Sequence, residues 1–190
     1  QAFLAFFEQT RGDPSFDPVA RAGIAHLYFV SIHPFEDGNG RVGRAIAECA
    51  LSQTLGHASL TGLSSVIAQR RSDYYDALER ASRDNEVTEW LRYFSDVVLA
   101  GQARSLRFVR FLVEKTRFLD RLRSALNPRQ EKALLRILRE GPDGFQGGLS
   151  AGNYMTITGA PPPTARRDVG ALVELGALRR TGEKRGTRYW

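Results

Sequence analysis

Twelve consecutive residues, His33 to Arg44, read HPFEDGNGRVGR and concentrate the chemistry of this chain. A histidine can take a proton near neutral pH, so His33 is a candidate base. Asp37 is an oxygen ligand of the kind Mg²⁺ accepts beside nucleotide phosphates. Gly38 and Gly40 flank Asn39 and permit a turn with exposed amides and no obstructing side chain. A glycine turn that feeds a helix N-terminus makes an anion site. Arg41 and Arg44 lie three apart, share a helix face and can contact one polyphosphate. A base, an anion hole, a metal carboxylate and two cationic clamps are the parts needed for transfer from a nucleotide polyphosphate. Glu36, beside Asp37, reads as a solvated side chain.

Two other phosphate motifs fail. Gly38-Asn39-Gly40-Arg41-Val42-Gly43 matches GxGxxG, but the preceding segment has a helical pattern and no acidic residue lies about 20 positions on. No Gly-Lys-Ser/Thr follows, so a Walker A loop is absent.

The elements that must position these residues are helices. Residues Ala2 to Arg11 form the first. Asp17-Pro18, a cap and an N1 proline, opens a second through Ser31. A third runs from Gly40 to Leu55 and ends at Gly56. Ser72 caps another through Arg83. Thr88 caps the next, with Trp90, Leu91, Phe94 and Val98 on one face. A separate helix spans Arg104 to Leu126, with a stripe of Leu112, Leu119, Leu122 and Leu126. Asn127-Pro128 starts a new helix through Glu140, with Gln130 placed for a capping box. Short helices follow at Ala151–Ile157 and Pro162–Leu175. LRRTGEKRGTRYW then reads as two short strands around a Gly182–Gly186 turn. Helix, helix–turn–helix and β-hairpin together describe a winged helix.

Charge divides the chain at the same place. Residues 1–126 carry 16 basic and 15 acidic side chains, and residues 127–190 carry 11 and 6. The overall charge of +6 therefore sits mostly in the last third. No apolar run approaches the ~18 residues of a membrane span. One cysteine excludes an internal disulfide framework and a cysteine-based zinc finger. Cys49 reads as a small buried hydrophobe, and His26 and His57 as structural histidines. A cytoplasmic setting is the default expectation.

The segment resembles the Fic motif HxFx[D/E]GNGRxxR at His33, Phe35, Asp37, Gly38, Asn39, Gly40, Arg41 and Arg44. SDYYDALERA and TEWLRYF are also similar to Fic proteins. The tail from LSAGNYMTITGA onward is similar to the winged-helix tail of many bacterial Fic proteins. The expected fold is mainly α: a Fic-type helical core over 1–126, then a small winged helix-turn-helix domain with a β-hairpin wing over 127–190. The resemblance implies a protein adenylyltransferase, moving AMP from ATP to a Ser, Thr or Tyr hydroxyl with release of pyrophosphate. In that reading His33 deprotonates the hydroxyl and Asp37 holds Mg²⁺ between the α- and β-phosphates. Gly38, Asn39 and Gly40 form the anion hole, Arg41 and Arg44 bind the β- and γ-phosphates, and Phe35 is a buried anchor. Tyr75 is where the family places a ring near the adenosine.

The implied partners are a protein bearing a hydroxyl, which includes the chain itself, and a second copy in a homodimer. Family members carry a flap hairpin upstream of the motif helix; Gln1–Ile32 shows none, so part of the fold is expected outside this chain. The family's inhibitory pattern [S/T]xxxE[G/N] is also unmatched, because Arg136 stands where Glu140-Gly141 would require Ser or Thr. An inhibitory helix is then expected upstream, in another chain, or not at all. Other Fic-type transfers, removal of AMP, and a nucleotide-sensing DNA-binding regulator are the alternative readings. Gly40 in the anion hole favours AMP transfer over the kinase-like Doc variant. Arg166, Arg167, Lys184 and Arg185 are candidate DNA contacts on the recognition helix and wing; no membrane partner is expected.

Overall fold

The computed structural model describes every residue except Asn85, together with all side chains apart from those of Asp84 and Arg185. The chain divides into two compact units, Gln1–Leu106 and Arg107–Trp190. The charge boundary at 126/127 lies 20 residues beyond this division, because Phe118 and Leu122 pack into the second unit's core.

The first unit begins with α1 (Ala2–Gln9) and α2 (Pro18–Ile32). Asp17 caps α2 by accepting from the Val19 and Ala20 amides, both at 2.9 Å. An aromatic cluster holds α1 on α2: Phe3 meets Tyr28 and Phe29 edge-on at 5.6 and 5.7 Å. Helix α3 (Asn39–Leu55) lies against α2 through small residues, among them Ala22, Ala25, Ala47 and Ala50, all fully buried. A methyl group on Gly43 would stand 2.8 Å from Val30 Cγ2, so this glycine sets how closely the two helices approach. Arg21 is fully buried at the same junction. Its guanidinium donates to the carbonyls of Phe7 (2.8 Å) and Ala50 (3.0 Å), to Thr10 Oγ1 (2.9 Å) and to Gln53 Oε1 (3.0 Å). One cation thus satisfies acceptors on α1 and α3, and burial lowers its pKa.

Short α4 (Leu63–Gln69) and amphipathic α5 (Arg71–Asp84) follow. Helix α4 begins after Gly62 without a capping side chain, so it leaves no start signal in the sequence. Helix α5 starts at Arg71, one residue before the expected Ser72 cap.

Helix α6 (Thr88–Leu122) corrects the expectation of two helices, one begun at Thr88 and one over 104–126. Gly101 between them is not a break. It is a notch: a Cβ there would stand 1.7 Å from the Thr61 carbonyl oxygen. The helix continues because its hydrogen bonds need no side chain at that point. Trp90, Phe94, Val97 and Val98 are buried, and Trp90 Nε1 donates to the Gly23 carbonyl at 2.8 Å.

The second unit contains α7 (Pro128–Leu138), α8 (Ala151–Thr158), α9 (Pro162–Glu174), and strands β1 (Arg180–Thr181) and β2 (Arg188–Tyr189). Asn127 and Gln130 form the expected capping box. The strands pair antiparallel, with Arg180 opposite Tyr189 and Thr181 opposite Arg188. Leu149 bridges to Tyr189 through two backbone bonds of 2.8 and 2.9 Å. The core is built on Leu134, Leu149, Tyr154, Ala165, Val169 and Leu172.

The fold is mainly α, with a single two-stranded sheet among the described residues. No helix is long and apolar enough to cross a membrane. Cys49 corrects another expectation: it is exposed, because it falls on the solvent face of α3 between buried Ala47 and Ala50.

Candidate active site

The end of α2 and the start of α3 are joined by residues 34–38. His33 terminates α2 in a left-handed conformation, with φ 49° and ψ 55°. That reversal is uncommon for a non-glycine residue and turns the chain back toward α3. The His33 ring is exposed and has no hydrogen-bonding partner among the described residues. Gly38 precedes α3 with φ 88°, and no side chain caps the helix. The first amides of α3 are therefore left pointing at solvent with the positive end of the helix dipole behind them.

The Asn39 side chain holds the loop. It is 3% exposed and grips the loop, accepting from the Phe35 amide at 3.0 Å and donating to the Phe35 carbonyl at 2.5 Å. Only its backbone faces the anion position. Phe35 corrects the expectation of a buried anchor: it is 52% exposed and meets Phe29 at 6.2 Å. Asn39 supplies the anchoring that Phe35 does not.

Asp37 and Arg41 form an exposed pair at 2.9 Å. Such a pair contributes about 0–1 kcal/mol, so either partner exchanges readily for a ligand. Arg44 is half-buried, and its Nε donates to Ser64 Oγ at 2.9 Å. That bond leaves the two terminal nitrogens of the guanidinium for another acceptor. A methyl group at Gly40 would lie 3.3 Å from one of them, so glycine leaves Arg44 its room.

His33, Glu36, Asp37, Gly38, Asn39, Gly40, Arg41, Arg44 and Tyr75 line one cleft of about 280 Å³. Every expected motif residue except Phe35 is among them, and Tyr75 joins from α5. Its ring is half-exposed and packs edge-on against Tyr74 at 5.2 Å. Beneath the cleft, His26 Nε2 and Tyr74 Oη are 3.0 Å apart, and both side chains are buried. Burial, helped by the charge of Arg44, lowers His26 to about 4. Burial likewise raises the Tyr74 phenol to about 12, against the pull of Arg44. His26 Nδ1 faces the Gly43 backbone without completing a hydrogen bond. The pair is thus a neutral support that fixes α5, and with it Tyr75, on α2.

Among the described residues no three His, Cys, Asp or Glu side chains gather as a metal site. Asp37 and Glu36 offer exposed carboxylates to the cleft. This donor set fits a magnesium ion that arrives with phosphates, since Mg²⁺ is commonly held by one or two carboxylates plus the substrate.

A family model described as Fic/DOC family matches residues 2–51. Over these residues the chain is similar to the Fic/DOC family. A protein adenylyltransferase Fic from Aedes aegypti is 36% identical over 83 residues, which is 43% of this chain and 15% of the relative. A probable protein adenylyltransferase from Aquifex aeolicus is 38% identical over 71 residues, covering 37% of this chain and 20% of the relative. The match thus spans no more than a fifth of the length of either curated relative. A Fic family protein from Desulfovibrio desulfuricans superposes on 99% of this chain and 53% of its own, with TM-score 0.48 and 23% identity. The matched segment holds α1, α2 and most of α3, including every motif residue from His33 to Arg44.

Ser64 and the His26–Tyr74 pair lie beyond the motif. Nothing in the sequence marks Ser64, because its role depends on where α4 comes to rest. The DNA candidates fall in the second unit. Arg166 and Arg167 are exposed on α9 and Lys184 is exposed in the hairpin. The Arg185 side chain lies outside the described residues.

Proposed function

We propose that this chain is a Fic-type protein adenylyltransferase, transferring AMP from ATP to a hydroxyl of a protein. The observation that carries the reading is the single cleft in which an unpartnered His33, the open amides of α3, Asp37, Arg41, Arg44 and Tyr75 converge. The names of the curated relatives support it.

His33 takes the proton of the attacking hydroxyl. The freed oxygen forms a bond to the α-phosphorus as the bond from that phosphorus to the bridging oxygen breaks. Pyrophosphate leaves with the electron pair. The α3 amides, joined by the Gly38 amide once Asp37 Oδ1 releases it, bind phosphate oxygens as charge shifts. Arg41 leaves Asp37 for the phosphates, while Arg44, steadied by Ser64, holds the leaving end. Tyr75 presents a ring face to the base. A magnesium ion bound with the nucleotide would be held by Asp37 and would neutralise phosphate charge. Catalysis is mostly positioning and electrostatics.

The test is labelling with Mg²⁺ and ATP carrying the label at either the α- or the γ-phosphate. Covalent label from α-labelled ATP alone, on this chain or a protein partner, is expected. Retention of γ-label would replace AMP transfer with phosphoryl transfer; no label from either would leave a nucleotide sensor.

A further inference from the structure

We propose that the second unit carries a binding cleft for the phosphodiester backbone of duplex DNA, formed by the start of α8, Arg166 of α9 and the β-hairpin. The cavity is about 520 Å³, and its polar lining comes from Ser150, Arg166, Arg180, Lys184, Thr187 and Arg188. These residues come from three separate elements, so their convergence is a product of the fold and not of a local run. The strand register places Arg180 beside Tyr189 and Arg188 beside Thr181, so both strands deliver a cation.

Among the described residues no carboxylate lines the cavity. Arg166, Arg180 and Lys184 form no ion pair among the described residues, whereas Arg129 and Arg136 of the same unit are paired with Asp168 and Glu140. Like charges gathered on one cavity repel each other, and an anion relieves that repulsion. The charge excess agrees, with 11 basic and 6 acidic side chains over 127–190.

The lining also limits what the anion is. Tyr189 is its one aromatic ring, and Ala151 its one aliphatic residue. A base or an acyl chain therefore finds little to bury against. Arg167 and Arg179 are exposed next to lining residues and extend the positive charge beyond the cavity. An extended polyanion with regularly spaced phosphates uses such a surface; a compact one does not. The site shares Arg166 and Lys184 with the candidate DNA contacts, takes in Arg180 and Arg188, which the sequence also places on or near the wing, and adds two hydroxyls. Arg167 is outside the lining.

The whole chain would be titrated against a fluorescent duplex of about 30 base pairs and arbitrary sequence, read by anisotropy between about 50 and 200 mM salt. Three phosphate contacts give a log–log slope near −2.7, so affinity is expected to fall roughly 40-fold over that range. Replacing Arg166, Arg180 and Lys184 together by glutamine should remove binding or flatten the slope by about 2.7, with an unchanged unfolding midpoint. A second variant, Lys132→Gln with Arg139→Gln, removes charge from the same unit outside the cleft and should leave most of the affinity. The proposal is overturned if the triple variant binds as the parent does, or if the Lys132/Arg139 variant loses as much. It is also overturned if ATP displaces the duplex at equal phosphate concentration, which would mark a small-polyphosphate site.

Discussion

Asp168 in the second unit and His33 in the first show two ways of treating a polar side chain. Asp168 is 3% exposed and receives hydrogen bonds from Arg129 Nε (2.8 Å), Asn127 Nδ2 (3.2 Å) and Tyr154 Oη (3.1 Å). Gln130 closes the arrangement by donating to the Asp168 backbone carbonyl at 3.0 Å. The Arg129 hydrogen bond is the main reason that the Asp168 carboxyl lies below its usual range. Tyr154 is correspondingly raised, by burial first and by Asp168 second. Every group in that cluster is spent on tying α7, α8 and α9 together. His33, by contrast, is exposed and has no side-chain partner among the described residues, and Asp37 and Arg41 hold each other only at the surface. Satisfied polar groups specify a fold; unsatisfied ones next to open amides are kept for a ligand.

The strongest way to break this contrast is to exchange its central residues. His33→Asn retains a residue tolerant of the left-handed conformation while removing the base. Label transfer from α-labelled ATP is expected to fall about 10²–10⁴-fold, with stability changed by no more than about 0.5 kcal/mol. Asp168→Ala should do the reverse. It leaves the buried Tyr154 hydroxyl without its acceptor, at a cost of about 2–4 kcal/mol in the second unit, with the His33 cleft untouched. Denaturant titration beside the transfer assay measures both. An Asp168→Ala protein of parental stability would mean that the cluster is decorative.

Acid should separate the two units. The folded pKa of His26 is lowered to about 4 by burial, against an unfolded value near 6.5. Its stabilising contribution is full above about pH 6.5 and is lost as pH falls toward 4, because the unfolded chain takes up the proton first. The whole span amounts to roughly 3 kcal/mol. Asp168 is also lowered, but its contribution persists down to the ordinary carboxylate range and is lost only as pH falls further, through its folded value. The first unit is therefore expected to weaken between about pH 6.5 and 4, and the second only below about 4. Trp90 and Trp190 are the chain's two tryptophans and lie in different units. Trp190→Phe leaves the buried Trp90 as a fluorescence reporter of the first. Coincident acid transitions in both units would contradict the assignment.

What the sequence made legible follows from how local each signal is. The α2 and α7 starts were readable because Asp17-Pro18 and Asn127-Pro128 bond to amides two or three residues away. The motif was readable because its parts occupy one loop and one helix turn. The continuity of α6 was not readable, because the Thr61 carbonyl that Gly101 accommodates is 40 residues distant. Phe35 was also misplaced. Its burial was implied by the resemblance alone, whereas the Asn39 side chain closes the loop through bonds to the Phe35 backbone. The two polar supports, Arg21 and His26, carried no periodic signal, since each satisfies groups on helices that meet only in the fold.

Ser64 gives the finest test, because it belongs to neither extreme of the contrast. It is an exposed residue in the first turn of α4, and its hydroxyl accepts from Arg44 Nε. Removing it exposes no buried group, so Ser64→Ala should alter stability by no more than about 0.5 kcal/mol. Arg44 would lose one restraint on its rotamer while keeping its charge. ATP binding then costs the entropy of fixing that side chain, and KM for ATP is expected to rise about 3–10-fold with kcat nearly unchanged. Ser64→Thr keeps the hydroxyl and should restore the parental KM. A loss in kcat instead would move Arg44 from holding the phosphates in the ground state to stabilising charge in the transition state.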